Sequence, residues 1–304
     1  NGDVLMEADT LIELKTTDEN GQITFTADLP LDGIYYVKEL YAPDGFVTTE
    51  EEQSFTFTYA GADQEIVSYE FIFENEPTTV ELTKTDLTTG EELPGAHMEL
   101  TDEEGNVVEE WISEDQAHVI KELVVGKSYT LTETKPADGY VTAESISFTV
   151  ENTTEIQKHV MEDDVTKIMI SKVDIAGEEL PGAKLSILDS DGNVVKSWVS
   201  GKEPYYIEKL PIGEYILREE SAPDGYFKAE DVKFTVEDTG EIQKVVMTDE
   251  AKPQSEEPEQ PGTPSVNAPK TGDNSPILMW IGITLLSMGL LGVTLIKRKK
   301  NRGR

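Results

Sequence analysis

The sequence predicts an all-β protein: tandem β-sandwich repeats, then a Pro-rich linker and one C-terminal transmembrane helix. Three observations carry this. Thr, Val, Ile, Tyr and Phe alternate with polar residues in short runs, and no long 3.6-residue periodicity appears before the C-terminus. The chain repeats itself: Glu-Glu-Leu-Pro-Gly-Ala stands at 91–96 and 178–183, and Glu133…Asp-Gly-Tyr140 returns 86 residues later as Glu219…Asp-Gly-Tyr226. Finally, Ile277 to Ile296 is 20 residues without a charge, about 30 Å as a helix and enough to span a bilayer.

Taken in order, residues 1–76 form the most diverged repeat. It carries Tyr35/Val37/Glu39, then Pro43-Asp44-Gly45-Phe46, and ends on Phe71/Phe73/Asn75. Residues 77–164 and 165–250 are the two clear repeats, sharing Glu-Ile-Gln-Lys at 155–158 and 241–244. Asn20-Gly21, Gly105-Asn106 and Asp191-Gly192 sit between alternating runs and read as hairpin turns. The Pro-Asp-Gly-aromatic runs read as tight turns. Each repeat is expected to be an antiparallel sandwich of about seven strands. Residues 251–267 hold four prolines among Glu, Gln, Ser and Thr, an extended linker of roughly 50 Å reach. Ala268-Pro269-Lys270-Thr271-Gly272 follows, then the 277–296 span and the basic tail 297–304. That tail should stay cytoplasmic and leave the repeats outside.

Composition excludes several functions. The chain has 61 acidic and 25 basic residues, and six of the basic ones fall in its last eight positions. Such a surface repels nucleic acid and anionic lipid. With no cysteine, thiol catalysis, disulfides and Cys-based zinc sites are excluded. His97, His118 and His159 are isolated rather than spaced as ligands, so neither a metal nor another cofactor is expected. Asn1 is not a start methionine, so the sequence reads as a C-terminal fragment.

The charged residues that end strands are more informative. Strand side chains alternate with a period of two, so Val80, Leu82 and Lys84 share a face, as do Tyr129, Leu131 and Glu133, and His159, Met161 and Asp163. The next repeat writes the same endings: Ile168/Ile170/Lys172, Tyr215/Leu217/Glu219 and Val245/Met247/Asp249. One such charge is usually solvated at a strand end. Three on apolar faces, in two copies, point instead to a dry site where amine and carboxyl can condense.

Lys-x-Asp near the repeat start, Gly-Ala after Leu-Pro, Glu-x-x-Ala-Pro-Asp-Gly-Tyr and a terminal Asp or Asn resemble collagen-adhesin B-type domains. These are also called SpaA-like or prealbumin-like pilin domains, of Gram-positive surface proteins, with an Ig-like sandwich. The resemblance implies an autocatalytic isopeptide bond assisted by a Glu: Lys84 to Asp163 under Glu133, and Lys172 to Asp249 under Glu219. In the first repeat Glu39 and Asn75 match, but Lys15 is too near Glu39, and the partner lysine should lie about ten residues before Asn1 by the spacing of the other repeats. In the second repeat Pro136 precedes Ala137, reversing the family's order.

Ala268–Gly272, placed before an apolar span and a basic stop, resembles a sortase sorting signal with Ala for the usual Leu. It implies cleavage between Thr271 and Gly272 and transfer of Thr271 to peptidoglycan or a pilin lysine. The expected partners are thus a sortase and an acceptor amine, and the expected place is the cell wall. The expected function is a structural stalk or pilus subunit, not an enzyme. The alternatives are the stem of an adhesin, meeting host matrix through a missing N-terminal region, or the stem of a surface hydrolase. Asp189-Ser190-Asp191-Gly192-Asn193 hints at calcium but lacks the Glu of a calcium loop, so it reads as a turn. Trp111 and Trp198 read as packing residues, and the sequon Asn152-Thr153-Thr154 carries little meaning here.

Overall fold

The computed structural model describes residues 6–58 and 69–253, and residues up to Pro253 form one compact unit. The linker from 254 onward, the sorting signal and the apolar span all lie outside the described residues, among which no helix is long and apolar enough to cross a membrane.

In the first repeat, β1 (Ile34–Lys38) and β2 (Glu52–Thr56) form an antiparallel pair. The Asn20-Gly21 turn is present, with Gly21 N donating to Asp18 O, but the runs on either side of it are not strands. This corrects the hairpin expected there. The second repeat has seven strands: β3 (Thr79–Asp86), β4 (His97–Thr101), β5 (Val107–Ile112), β6 (His118–Lys121), β7 (Ser128–Lys135), β8 (Ile146–Thr149) and β9 (Gln157–Asp163). The third repeats them as β10 (Lys167–Asp174), β11 (Lys184–Leu188), β12 (Val194–Val199), β13 (Tyr205–Glu208), β14 (Gly213–Ser221), β15 (Val232–Val236) and β16 (Ile242–Asp249).

Each set makes a three-stranded sheet, β6-β3-β9 or β13-β10-β16, facing a four-stranded sheet, β5-β4-β7-β8 or β12-β11-β14-β15. The core lies between them. Val80, Leu82 and Met161 from one sheet pack with Met98, Leu100 and Leu131 from the other, as Ile168, Ile170 and Met247 do with Leu185, Ile187 and Leu217. Alternation is the cause: along β7 the burial runs so that Tyr129, Leu131 and Glu133 point inward while the threonines between them face outward. Asp102 and Asp189 each accept backbone N–H bonds within their own hairpin turns, which accounts for the acidic loop at 189–193 without an ion. Trp111 stacks on His118 and Trp198 on Tyr205. The turn with reversed Pro136-Ala137 closes as its counterpart does, Tyr140 N donating to Ala137 O and Tyr226 N to Pro223 O.

A second expectation is corrected. The sandwiches are not wholly antiparallel, because β3 pairs parallel with β9 and β10 parallel with β16. A parallel pair needs a long crossover. Here the whole of the intervening domain supplies it, so the first and last strands of each repeat lie side by side. A period-two pattern reports faces, not strand direction.

Leu131 and Leu217 are almost completely buried in the two cores. Replacing either with alanine is expected to lower the unfolding free energy by about 2–5 kcal/mol. Urea titration checks this, and a change near zero would place that side chain outside the packed core.

Candidate functional site

Parallel pairing of first and last strands determines what meets inside each sandwich. Lys84 lies opposite Met161 in the register, so Asp163, two residues on, shares its face as a diagonal neighbour. In the third repeat Lys172 lies opposite Met247, with Asp249 two residues on. Lys84 Nζ donates to Asp163 Oδ1, and Lys172 Nζ to Asp249 Oδ1. From the facing sheet, Glu133 Oε1 stands 3.1 Å from Lys84 Nζ and Glu219 Oε1 3.1 Å from Lys172 Nζ. All six side chains are buried, none more than 4 % exposed.

Two features position the glutamates, and neither was legible in the sequence. A β-bulge between His97 and Met98 shifts the pairing of β4 with β7 beside Glu133, and one between Lys184 and Leu185 does the same beside Glu219. Bulges re-aim side chains. In addition, each glutamate's Oε2 accepts a backbone N–H from ten residues downstream, Ala143 N at 2.6 Å and Ala229 N at 2.7 Å. With Oε2 occupied, Oε1 is turned to the lysine. The recurrent ten-residue offset could have been counted in the sequence, but nothing in the residue types marks it.

The remaining oxygens carry the chemical signal. Glu133 Oε1, Asp163 Oδ2, Glu219 Oε1 and Asp249 Oδ2 are buried without a hydrogen-bond partner. Such atoms are costly to leave unpaired. Burial pushes the Asp163 carboxyl up to about 7, against the pull of Lys84 and with the help of Glu133. A carboxyl with a raised pKa in contact with an amine is an arrangement from which an amide condensation can start.

The first repeat brings together its two matching residues. Asn75 Nδ2 donates to Glu39 Oε2 at 2.6 Å and to Val47 O at 3.0 Å. Thr49 N, ten residues after Glu39, donates to the same Oε2 at 3.1 Å. Lys15 is engaged elsewhere, with Thr24 O and Glu13. Thr271 and Gly272 lie outside the described residues. Among the described residues no cluster of His, Asp and Glu could hold a metal.

The profile of the SpaA prealbumin-like fold domain matches this chain three times, over residues 3–70, 78–164 and 166–251. No curated protein matches it. Among solved structures, the chain is similar to the Bacillus anthracis TIE protein at 29% identity, covering 77% of this chain and 45% of that one, with a TM-score of 0.45. It thus spans less than half the length of that relative. It is similar to a streptococcal ancillary pilin at 20% identity, covering 75% of this chain and 77% of that one, with a TM-score of 0.29. For the shaft pilin of Lactobacillus rhamnosus GG the identity is 14%, over 58% and 98%, with a TM-score of 0.29.

The protonation of Asp163 has a measurable sign. In Lys84→Met the amine is gone while burial still holds the carboxyl above its ordinary value of 3.8. Between the unfolded and folded pKa values the native state keeps a proton that the unfolded state has released, so stability falls as pH rises through that window. Lys84→Met is expected to lose stability relative to Lys84→Met/Asp163→Asn as pH rises from about 4 through about 7, by urea titration. Parallel curves for the two variants would show an ordinary, ionised Asp163.

Proposed function

Because the chain belongs to the SpaA prealbumin-like fold domain family, we propose that it is a structural cell-surface stalk or pilus subunit. Its second and third repeats lock themselves with Lys84–Asp163 and Lys172–Asp249 isopeptide bonds. The observation that supports this best is the pair of buried Lys/Glu/Asp clusters, each with an orphaned Glu Oε1 and Asp Oδ2. In the dry site a proton passes from lysine to carboxylate, leaving a neutral amine and a neutral acid. Nζ attacks the aspartate Cγ and a C–N bond forms. Glu Oε1–H polarises the carboxyl, then takes a proton from nitrogen as it delivers one to the departing hydroxyl. One C–O bond breaks and one water leaves per repeat. The glutamate ends as it began, and each domain reacts once.

By analogy with a disulfide, closing a loop of about 80 residues removes chain entropy worth roughly 4–5 kcal/mol from the unfolded state. The mechanical effect is larger, since the bond ties first strand to last and carries tension past everything between. Glu39 and Asn75 stand as the matching half of a third bond, whose lysine would come from upstream. The proposed anchor is sortase cleavage between Thr271 and Gly272, with Thr271 transferred to a wall or pilin amine. The repeats would then lie on the outer surface, joined through the 251–267 linker.

The folded protein is expected to weigh two water molecules less than its sequence, and Glu219→Ala only one water less than its own sequence, because Lys172 and Asp249 then lack their proton shuttle. Intact-mass spectrometry decides it. An unmodified mass in folded protein would remove the crosslinks, and wild-type crosslinking in Glu219→Ala would remove the role of the glutamate.

The anchor is tested separately. Replacing Thr271 and Gly272 with alanine is expected to move the protein from muramidase-released to detergent-extracted material. If both forms stay with the membrane, the 277–296 span is a permanent anchor and the sortase reading fails.

A further inference from the structure

The Asp-Gly-aromatic turns play no part in crosslinking. The first two of them are where one repeat meets the next. Gly139 O accepts Thr166 N at 3.0 Å, and Thr166 Oγ1 lies 2.7 Å from Leu210 O. Lys209 N returns to Thr166 O at 3.1 Å, with Lys209 in the left-handed region at φ 60°. A Cβ on Gly139 would stand 2.6 Å from Lys209 O, so only glycine permits this approach. Thr142 N also crosses the joint, donating to Asp238 Oδ1 at 2.8 Å.

The first joint uses the same backbone plan. Gly45 O accepts Thr78 N, Thr78 Oγ1 reaches Leu123 O, Glu122 has φ 64°, and Thr48 N donates to Asn152 Oδ1. Its side chains differ. Phe46 and Glu122 stand where the second joint has Tyr140 and Lys209.

At the second joint those side chains meet. Lys209 Nζ donates to Asp86 Oδ2 at 2.9 Å, contacts the Tyr140 hydroxyl, and lies 4.7 Å from the centre of its ring. Tyr140 OH donates to the same Asp86 Oδ2 at 2.7 Å. Asp86 is buried and its other oxygen accepts Thr88 N and Thr89 N, so the acceptor is fixed before the lysine arrives. We propose that Lys209 of the third repeat and the Asp86/Tyr140 pair of the second form a latch that fixes the angle between these two repeats. The latch is specific to this joint. It is also separate from the crosslinks: Asp86 and Tyr140 lie between Lys84 and Asp163 in the chain, and Lys209 lies between Lys172 and Asp249, so it braces the segments that the isopeptide bonds would relieve of tension.

The absence of cysteine from the sequence makes the test direct. Nitroxide labels are placed at Glu104→Cys and Lys202→Cys, both exposed, one in each repeat, in the full chain held in detergent. Pulsed dipolar spectroscopy then reads the distance between them. The expected result is one narrow distance, which broadens or shifts in Lys209→Met, in Tyr140→Phe, and most in Lys209→Glu, which sets the first joint's acid against Asp86. Lys228→Met, an equal change of charge away from the joint, is expected to leave the distance unchanged. Circular dichroism and intact mass confirm that each variant is folded. A broad distance in the unsubstituted chain, or an unchanged narrow one in both Lys209→Glu and Tyr140→Phe, overturns the latch.

Discussion

An amine and two carboxyl groups held out of water constrain nearly everything else in the second and third repeats. Moving such charges from water into a packed interior costs several kcal/mol each unless they pair or neutralise. The lysine and aspartate make contact, the glutamate approaches from the opposite sheet, and its far oxygen is tied to a backbone N–H. Sandwich topology makes this possible. Only with the first and last strands adjacent and parallel can residues 79 apart in sequence share one sheet face.

Residue type alone does not decide the state of a Lys–Asp contact, and the chain holds two contacts of different kinds. Hydrogen bonds from Tyr140 and then from Lys209 hold the Asp86 carboxyl well below the usual range, so it is an ionised acceptor. Burial raises Asp163 instead, and its second neighbour is another carboxyl. Half-exposed Lys209 meets a prepared anion and makes an ion pair. Buried Lys84 meets a carboxyl whose pKa burial raises to about 7, the setting the proposed condensation needs.

In the proposed stalk, crosslink and latch would divide the mechanical work. With both isopeptide bonds formed, tension would run from Lys84 through Asp163, along the short segment to Lys172, and out through Asp249. The contact of Lys209 with Asp86 and Tyr140 lies beside that path and would govern bending. Extension and bending would thus be resisted by different groups, one set covalent and the other polar.

The sequence by itself determined the strand character, the three repeats and the faces on which Lys84, Glu133, Asp163 and their counterparts lie, because a period of two writes inward and outward directly into the chain. Copy-to-copy recurrence then separated these residues from ordinary charged strand ends. Tertiary structure alone decided that β3 and β9 run parallel, that bulges beside Glu133 and Glu219 turn them toward the lysines, and that Ala143 and Ala229 supply the N–H that holds them. Strand direction, register and backbone donors leave no mark on residue type, and the joint at Lys209 joins positions 123 apart that no local pattern connects. They arise only when distant segments pack against one another.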